Sequence, residues 1–272
     1  MKKPEKTIAF IGVGAMGSAL IRGLLSAQLV QPTELSAYDA DQAKLASLAQ
    51  ELGITPTASG LEAAHAEIIV LAVKPAVVDP VLAEIGPGLQ AGQVVVSIAA
   101  GVSLARLQSR VANQQVSLAR VMPNTPALVG AGVSAVAFSA DTPPALRQRV
   151  MQLLAAVGEV VEVEDKLMDA VTGLSGSGPA YVFVAIEALA DGGVAAGLPR
   201  AIAQKLAIQT VLGAAQLLKE TGQHPGVAKD QVASPGGTTI AGLAALEDGA
   251  FRANLIQAVL RATERSRELS GQ

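Results

Sequence analysis

Residues 7 to 17 read Thr7-Ile-Ala-Phe-Ile-Gly-Val-Gly-Ala-Met-Gly17, and Ser18 to Gln28 continue with helical composition. A short apolar run, a glycine turn and a helix, in that order, give a bare G-x-G-x-x-G the context of a dinucleotide-binding fingerprint. Gly12 is expected to make the tight turn, Gly14 to admit a pyrophosphate close to the backbone, and Gly17 to let the helix approach the strand. The competing reading is an ordinary tight turn between a strand and a helix.

A second strand is expected at Glu34 to Tyr38, ending in Asp39. An acidic residue about 20 positions beyond the glycines typically accepts hydrogen bonds from the adenosine ribose. The same carboxylate would repel a 2′-phosphate, and no arginine follows at once, so the local chemistry leans toward NADH. Alternatively, Asp39 or Asp41 caps the helix containing Lys44 and Leu48; the two roles are compatible. The runs Glu67 to Val73 and Gln93 to Ile98 are continuous and β-branched, as in parallel strands covered by helices on both faces. Loops at their carboxyl ends, Lys74-Pro75 and Ala99-Ala100-Gly101, should line the cofactor cleft. Lys74 offers a cation for phosphate or substrate, or its loop contacts cofactor through backbone alone. Ser117 to Val121 reads as another strand, and the doubly prolined Met122-Pro-Asn-Thr-Pro126 either shapes a substrate mouth or forms a rigid corner. Val133 to Phe138 and Glu159 to Val163 complete a doubly wound, mainly parallel α/β domain spanning residues 1–164.

Near Asp165 the pattern changes to long Ala/Leu-rich helices, which defines an all-helical domain over residues 165–272. Helices are expected from Pro179 to about Ala196 and from Pro199 to about Thr221, with prolines opening both and Gly197 ending the first. Phe251 to Leu269 is amphipathic, with Leu255, Ile256, Val259 and Leu260 on one face. In the polar gap before it stands Ser234-Pro-Gly-Gly-Thr-Thr239. Two glycines and two hydroxyl residues at the start of a helix, roughly Thr238 to Glu247, let backbone N–H groups converge on an anion where the helix dipole favours negative charge. Without a ligand, the same residues make a helix cap with a proline-guided turn. The glycines of Ser175-Gly-Ser-Gly-Pro-Ala-Tyr181 let a helix start close to a ligand or to another part of the backbone.

Composition narrows the function. Half of the residues are hydrophobic, yet there are four Phe, two Tyr and no Trp, so the interior is built from Ala, Val, Leu and Ile. So much apolar surface in a short chain suggests burial between subunits. A net charge of −3 without a basic stripe argues against nucleic acid. Without cysteine there is no disulfide, thiolate zinc site or thiol nucleophile, and the two histidines, His65 and His224, lack metal-ligand spacing, so no metal is expected. Met1-Lys2-Lys3-Pro4 runs into the first strand without a leader's apolar stretch, which points to the cytoplasm. The stretch Pro179 to Leu198 is interrupted by Glu187 and Asp191, which favours a buried helix over a membrane span.

The chain resembles the pyrroline-5-carboxylate reductases of proline biosynthesis, an amino-acid biosynthesis pathway, over almost its whole length. The resemblance rests on Phe10 to Gly17, Ala72-Val-Lys-Pro75, Ser97 to Gly101, Met122 to Pro126, Asp169 to Tyr181 and Lys229 to Thr239. It implies an NAD(P)H-dependent oxidoreductase that reduces 1-pyrroline-5-carboxylate to L-proline. It also implies an N-terminal Rossmann domain and an all-α C-terminal dimerisation domain, in homodimers that often join into larger rings. On this likeness Ile11, Gly12, Val13, Gly14, Ala15, Met16, Gly17, Asp39, Ser59, Ala72, Val73, Lys74, Pro75, Ala99 and Ala100 contact NADPH or NADH, with Gln231 reaching it from the partner subunit. Ser234, Gly236, Gly237, Thr238, Thr239 and Ser177 face the substrate, and the Thr239 hydroxyl donates a proton to the ring nitrogen or positions it.

Two residues depart from the family pattern. Ser59 replaces an asparagine that some members place near the ribose, and Gly222 replaces a substrate-side glutamate, with Glu220 close by. Two rival readings remain. A β-hydroxyacid dehydrogenase would carry a lysine base in the helix after Gly178, and Pro179 to Glu187 contains none. A non-catalytic NAD(P)H-binding protein would have no need of the Gly-Gly-Thr-Thr anion site.

Overall fold

The computed structural model describes residues 7–271; the Met1 to Pro4 segment discussed above lies outside them. The first half alternates strands and helices: β1 (Ile8–Ile11), α1 (Ala15–Ser26), β2 (Leu35–Tyr38), α2 (Gln42–Leu52), β3 (Thr55–Pro56), α3 (Gly60–Ala63), β4 (Ile68–Leu71), α4 (Pro75–Ile85), β5 (Val94–Ser97), α5 (Leu104–Arg110) and β6 (Ser117–Met122). Then come β7 (Gly132–Phe138), α6 (Pro144–Ala155), β8 (Gly158–Glu162) and the short α7 (Met168–Val171). Four long or medium helices and one short one follow: α8 (Gly178–Ala195), α9 (Arg200–Thr221), α10 (Pro225–Val232), α11 (Thr238–Asp248) and α12 (Phe251–Ser270).

The strands form one sheet in the order β3-β2-β1-β4-β5-β6-β7-β8. Every neighbouring pair is parallel except β6 and β7, where Val121 lies opposite Val136 in antiparallel register. Order reverses on either side of β1, because β2 lies on one side of it and β4 on the other. That is the switch point of a doubly wound sheet, and ligands bind beyond the carboxyl ends of its strands.

Successive residues of the central strands enter two separate cores. Ile8, Phe10, Val70, Val96 and Val121 pack with Leu20, Leu24 and Leu153 on one face. Ala9, Ile11, Ile69, Leu71 and Val95 pack with Val78, Leu82 and Leu107 on the other. Burial on both faces explains why these strands read as unbroken apolar runs.

The chain packs as two units, Met1–Ser177 with Ala262–Gln272, and Gly178–Arg261. Composition changes near Asp165, but the packing changes only after Ser177. The intervening segment belongs to the sheet unit: Met168 is fully buried beside Ala135 and Ala137. The end of α12 joins the same unit, through Ser266 and Ser270 hydroxyls that donate to Asp169 Oδ1 at 2.6 and 3.3 Å.

In the helical unit, α8 and α9 meet through Ala190, Ala203 and Ala207, with Ile186 and Val194 alongside. A Cβ on Gly193 would stand 3.1 Å from that of Ala203, so small residues set the close approach. The expectation of a buried helix at Pro179 to Leu198 is corrected here. Only Ala190 of α8 is buried, while Phe183 and Val184 are 62% and 66% exposed. Residues of α9 such as Ile202, Leu206 and Leu212 are likewise exposed. Among the described residues, Asp165–Ala195 and Arg200–Thr221 are long and apolar enough to cross a membrane by length and composition only, a test that core helices also pass.

Candidate active site

At the end of β1 the chain turns through Gly12 with φ +101°, a left-handed conformation favouring glycine. A Cβ there would lie 2.5 Å from the Ala72 carbonyl oxygen, and one on Gly17 would lie 2.4 Å from that of Gly12. Both glycines therefore have the roles expected of them. At Gly14 a Cβ would meet nothing within 4 Å, which leaves an open approach to the backbone. Gly14 is also the N-cap of α1 and supplies no side-chain cap. The first turn of α1 thus directs amide donors and the positive end of its dipole into that opening, a fit for a pyrophosphate.

Of the two acidic residues after β2, one caps the following helix and the other does not. Asp41 caps α2, its Oδ1 accepting from the Lys44 amide at 3.1 Å. Asp39 does not cap; Oδ2 accepts from the Val13 amide at 2.7 Å and Oδ1 from the Asp41 amide at 2.9 Å. The half-buried Asp39 carboxylate is thereby fixed against the fingerprint turn, between β1 and β2.

The other carboxyl ends lie along the same edge. Ala72 and Val73 follow β4, exposed Lys74 is the N-cap of α4 without a side-chain cap bond, and Pro75 opens that helix. Beyond β5, Ala99 is buried and Ala100 exposed. Ser59 caps α3, its Oγ accepting from the Glu62 amide at 3.2 Å.

At the end of β6, the Asn124 side chain of the prolined turn donates from Nδ2 to the Ser175 carbonyl at 3.2 Å and accepts from the Val133 amide at 2.9 Å. Ser175 lies in a single π turn, Thr172–Gly176, of the kind often found at functional sites. A Cβ on Gly176 would come within 2.5 Å of Met122 Cε, so that glycine permits a close approach within the sheet unit. Ser177 ends the turn, its amide donating to Thr172 O at 2.9 Å.

Beneath this turn lies a buried ionic network that sequence reasoning missed. Arg120, 3% exposed, is 2.9 Å from Asp165 and 3.7 Å from Asp169, which is equally buried. An arginine inside the apolar strand Ser117 to Met122 was the available signal.

In the helical unit, Ser234 to Thr239 form a turn with Gly236 at φ +65°, and the Gly237 amide donates to the Ser234 carbonyl at 3.1 Å. Gly237 is the N-cap of α11, again without a side-chain cap bond. Thr239 is half-buried and Thr238 exposed. This geometry is that of a helix start after a proline-containing turn, and it leaves the first-turn amides of α11 without a side-chain acceptor at the N-cap. The region read as a polar gap contains a further helix, α10, which carries exposed Gln231. Gly222 takes φ +63° as the left-handed C-cap of α9, a backbone reason for glycine at that position. The structure thus brings the fingerprint, Asp39, Ala72 to Pro75 and Ala99 to Ala100 to one sheet edge. Ser177 belongs to the same unit, whereas Gln231 and Ser234 to Thr239 are carried by the other.

The chain is 49% identical to the pyrroline-5-carboxylate reductase of Synechocystis, over 96% of its own length and 97% of the relative's. It belongs to the pyrroline-5-carboxylate reductase family. A family model described as pyrroline-5-carboxylate reductase dimerisation matches residues 165–269, and one described as NADP oxidoreductase, coenzyme F420-dependent, matches residues 7–101. The Escherichia coli reductase is 44% identical over 98% of this chain and 99% of that one. Among solved structures, a Coxiella burnetii pyrroline-5-carboxylate reductase superposes with TM-score 0.93 at 32% identity, covering 98% of this chain and 99% of the other. An NADP-bound Plasmodium falciparum pyrroline carboxylate reductase gives 0.87 at 33%, with the same coverage. The protein is an oxidoreductase with a Rossmann-like NAD(P)-binding domain and an all-helical dimerisation domain. The matched dimerisation region includes α8 and α9, whose apolar residues are left exposed in the single chain.

Proposed function

We propose that this protein reduces 1-pyrroline-5-carboxylate to L-proline with NADH or NADPH, in the cytoplasm, as a homodimer that can join into a larger ring. Residues 1–164 hold the cofactor, and residues 165–272 hold the substrate and the second subunit. The observation that carries this reading is the uncapped start of α11 at Gly237, placed directly after the Ser-Pro-Gly-Gly turn. Backbone N–H groups there suit the carboxylate of a small imino acid.

When bound, a reduced nicotinamide would supply the hydride for C5 of the protonated imine, which would convert C=N⁺H to CH–NH. On the protein side, the first turn of α1 holds the pyrophosphate and Asp39 the ribose. Ile11, Val13, Ser59, Ala72 to Pro75, Ala99 and Ala100 complete the cofactor bed, with Gln231 contributed by the second subunit. Ser177, Ser234 and Gly236 to Thr239 bind the substrate and fix its ring. Thr239 either donates a proton to the nitrogen or orients it. Because a threonine hydroxyl is a poor acid, orientation is its larger contribution. Holding two planar groups at reacting distance can supply roughly 7–11 kcal/mol of the barrier reduction.

The test is the fall in reduced-nicotinamide absorbance when 1-pyrroline-5-carboxylate is added to the purified protein with NADH or NADPH. Imine-dependent oxidation and proline formation support the reading; tight cofactor binding with no oxidation would overturn it in favour of a binding protein.

A further inference from the structure

Resting on the proposed reductase reading, the structure assigns cofactor choice to Asp39 and Asp41 together: we infer that this chain selects NADH over NADPH. The adenosine ribose of a cofactor on the α1 turn extends over β2, so its 2′-substituent meets the residues that follow Tyr38. Those residues are Asp39-Ala-Asp41. Asp39 is held by two amides, Val13 at 2.7 Å and Asp41 at 2.9 Å, and is too constrained to swing away from a second anion. Its two oxygens can still accept hydrogen bonds from a ribose diol, since each carboxylate oxygen carries more than one lone pair.

The other place where a 2′-phosphate could settle is the N-terminus of α2, which attracts anions. Asp41 already fills it, accepting from Lys44 N at 3.1 Å. The intervening residue is Ala40, which brings no donor or positive charge. A phosphate arriving here meets two carboxylates and a helix start whose donor is taken. The cation closest in sequence, Lys44, is one turn into α2, and its backbone amide is the group that Asp41 holds. Like charges brought together at a binding surface disfavour the wrong partner strongly, and the effect weakens as salt screens it.

The experiment is a calorimetric titration of the purified full-length protein with NADH and with NADPH, both without imine, so that binding is read apart from turnover. NADH is expected to bind roughly 10- to 100-fold more tightly at low salt, with the gap narrowing at high salt. In Asp41→Ser, serine can still cap α2, and NADPH affinity is expected to rise toward that of NADH. The triple change Asp39→Ser, Ala40→Arg and Asp41→Ser is expected to reverse the preference. Equal or tighter NADPH binding by the unaltered protein would overturn the assignment, as would an unchanged NADPH affinity in Asp41→Ser. A protein that binds NADH selectively but does not oxidise it with 1-pyrroline-5-carboxylate would sink the reductase reading and leave this assignment standing.

Discussion

Asn124 joins two segments distant in sequence: its Nδ2 donates to the Ser175 carbonyl at 3.2 Å while its Oδ1 accepts the Val133 amide at 2.9 Å. The prolined turn after β6 and the π turn before Ser177 are therefore held in one arrangement at the carboxyl end of the sheet. Asn124→Asp keeps an acceptor for Val133 but points a charge at the Ser175 carbonyl. We predict a fall in kcat/KM for the imine of roughly 10-fold or more, equivalent to the loss of one hydrogen bond with an unpaired partner. NADH affinity is expected to stay close to that of the unaltered protein. Steady-state kinetics beside a cofactor titration will read the two effects separately.

Thr239 is the second residue of α11 and is half-buried. Thr239→Val preserves shape and removes the hydroxyl. If that group acts on the ring nitrogen in the transition state, turnover falls on the order of 100-fold, or about 3 kcal/mol, with cofactor affinity nearly intact. Unchanged turnover would remove Thr239 from the chemistry.

Gly17 has no room for a side chain, because a Cβ would lie 2.4 Å from the Gly12 carbonyl oxygen. Gly17→Ala must push α1 away from the turn. A loss of about 1–3 kcal/mol in stability is expected, as for other overpacked sites, together with weaker NADH binding. Gly14→Ala, where the space is open in the protein, should leave stability almost unchanged while weakening NADH binding through the cofactor. Chemical denaturation and cofactor titration of both variants form the test.

Arg120 is buried with Asp169 and also meets the half-buried Asp165. Replacing it alone, as in Arg120→Met, strands the buried Asp169 carboxylate and is predicted to cost about 3–5 kcal/mol. Adding Asp169→Asn, which keeps an acceptor for Ser266, should recover part of that loss, since it removes the buried charge that Arg120 balanced. A double variant no more stable than the single one would contradict the account.

Asp79 on α4 has its carboxyl pKa lowered, first by its hydrogen bond with Arg106 and next by that with Arg110, against desolvation that acts the other way. A carboxyl depressed in the folded state stabilises it above the unfolded pKa of about 4, and the benefit is lost as pH falls through the folded value. Asp79→Asn should therefore be less stable than the unaltered protein at pH 7 and equal to it at pH 2, by urea denaturation at each pH.

The sheet half was legible because its strands are short, unbroken and β-branched, and because Gly12 and Gly17 punctuate them where the backbone leaves no space. The roles of Asp39 and Asp41 were not separable in sequence; which carboxylate turns toward Val13 and which toward Lys44 is decided by two backbone positions at the end of β2. α10 was missed because Pro225–Val232 is short and weakly patterned. The π turn looked like a glycine linker, and the partners of Arg120 come from segments that no local pattern connects. Burial of α8 was expected from its composition, but hydrophobicity states how much surface seeks cover and not which chain provides it.

The sheet unit is interrupted in sequence, and Asp169 gains its hydroxyl partners only from Ser266 and Ser270 in the last turns of the chain. Synthesis proceeds from the N-terminus, so the nascent Rossmann half emerges and collapses while these serines are still unmade or inside the ribosome. Final closure of this half therefore waits until Ser266 and Ser270 have been made, long after the strands that they help to fix. A message truncated before Ser266 would leave a product with Asp169 deprived of these partners, marking an unfinished chain by a defect in its first domain.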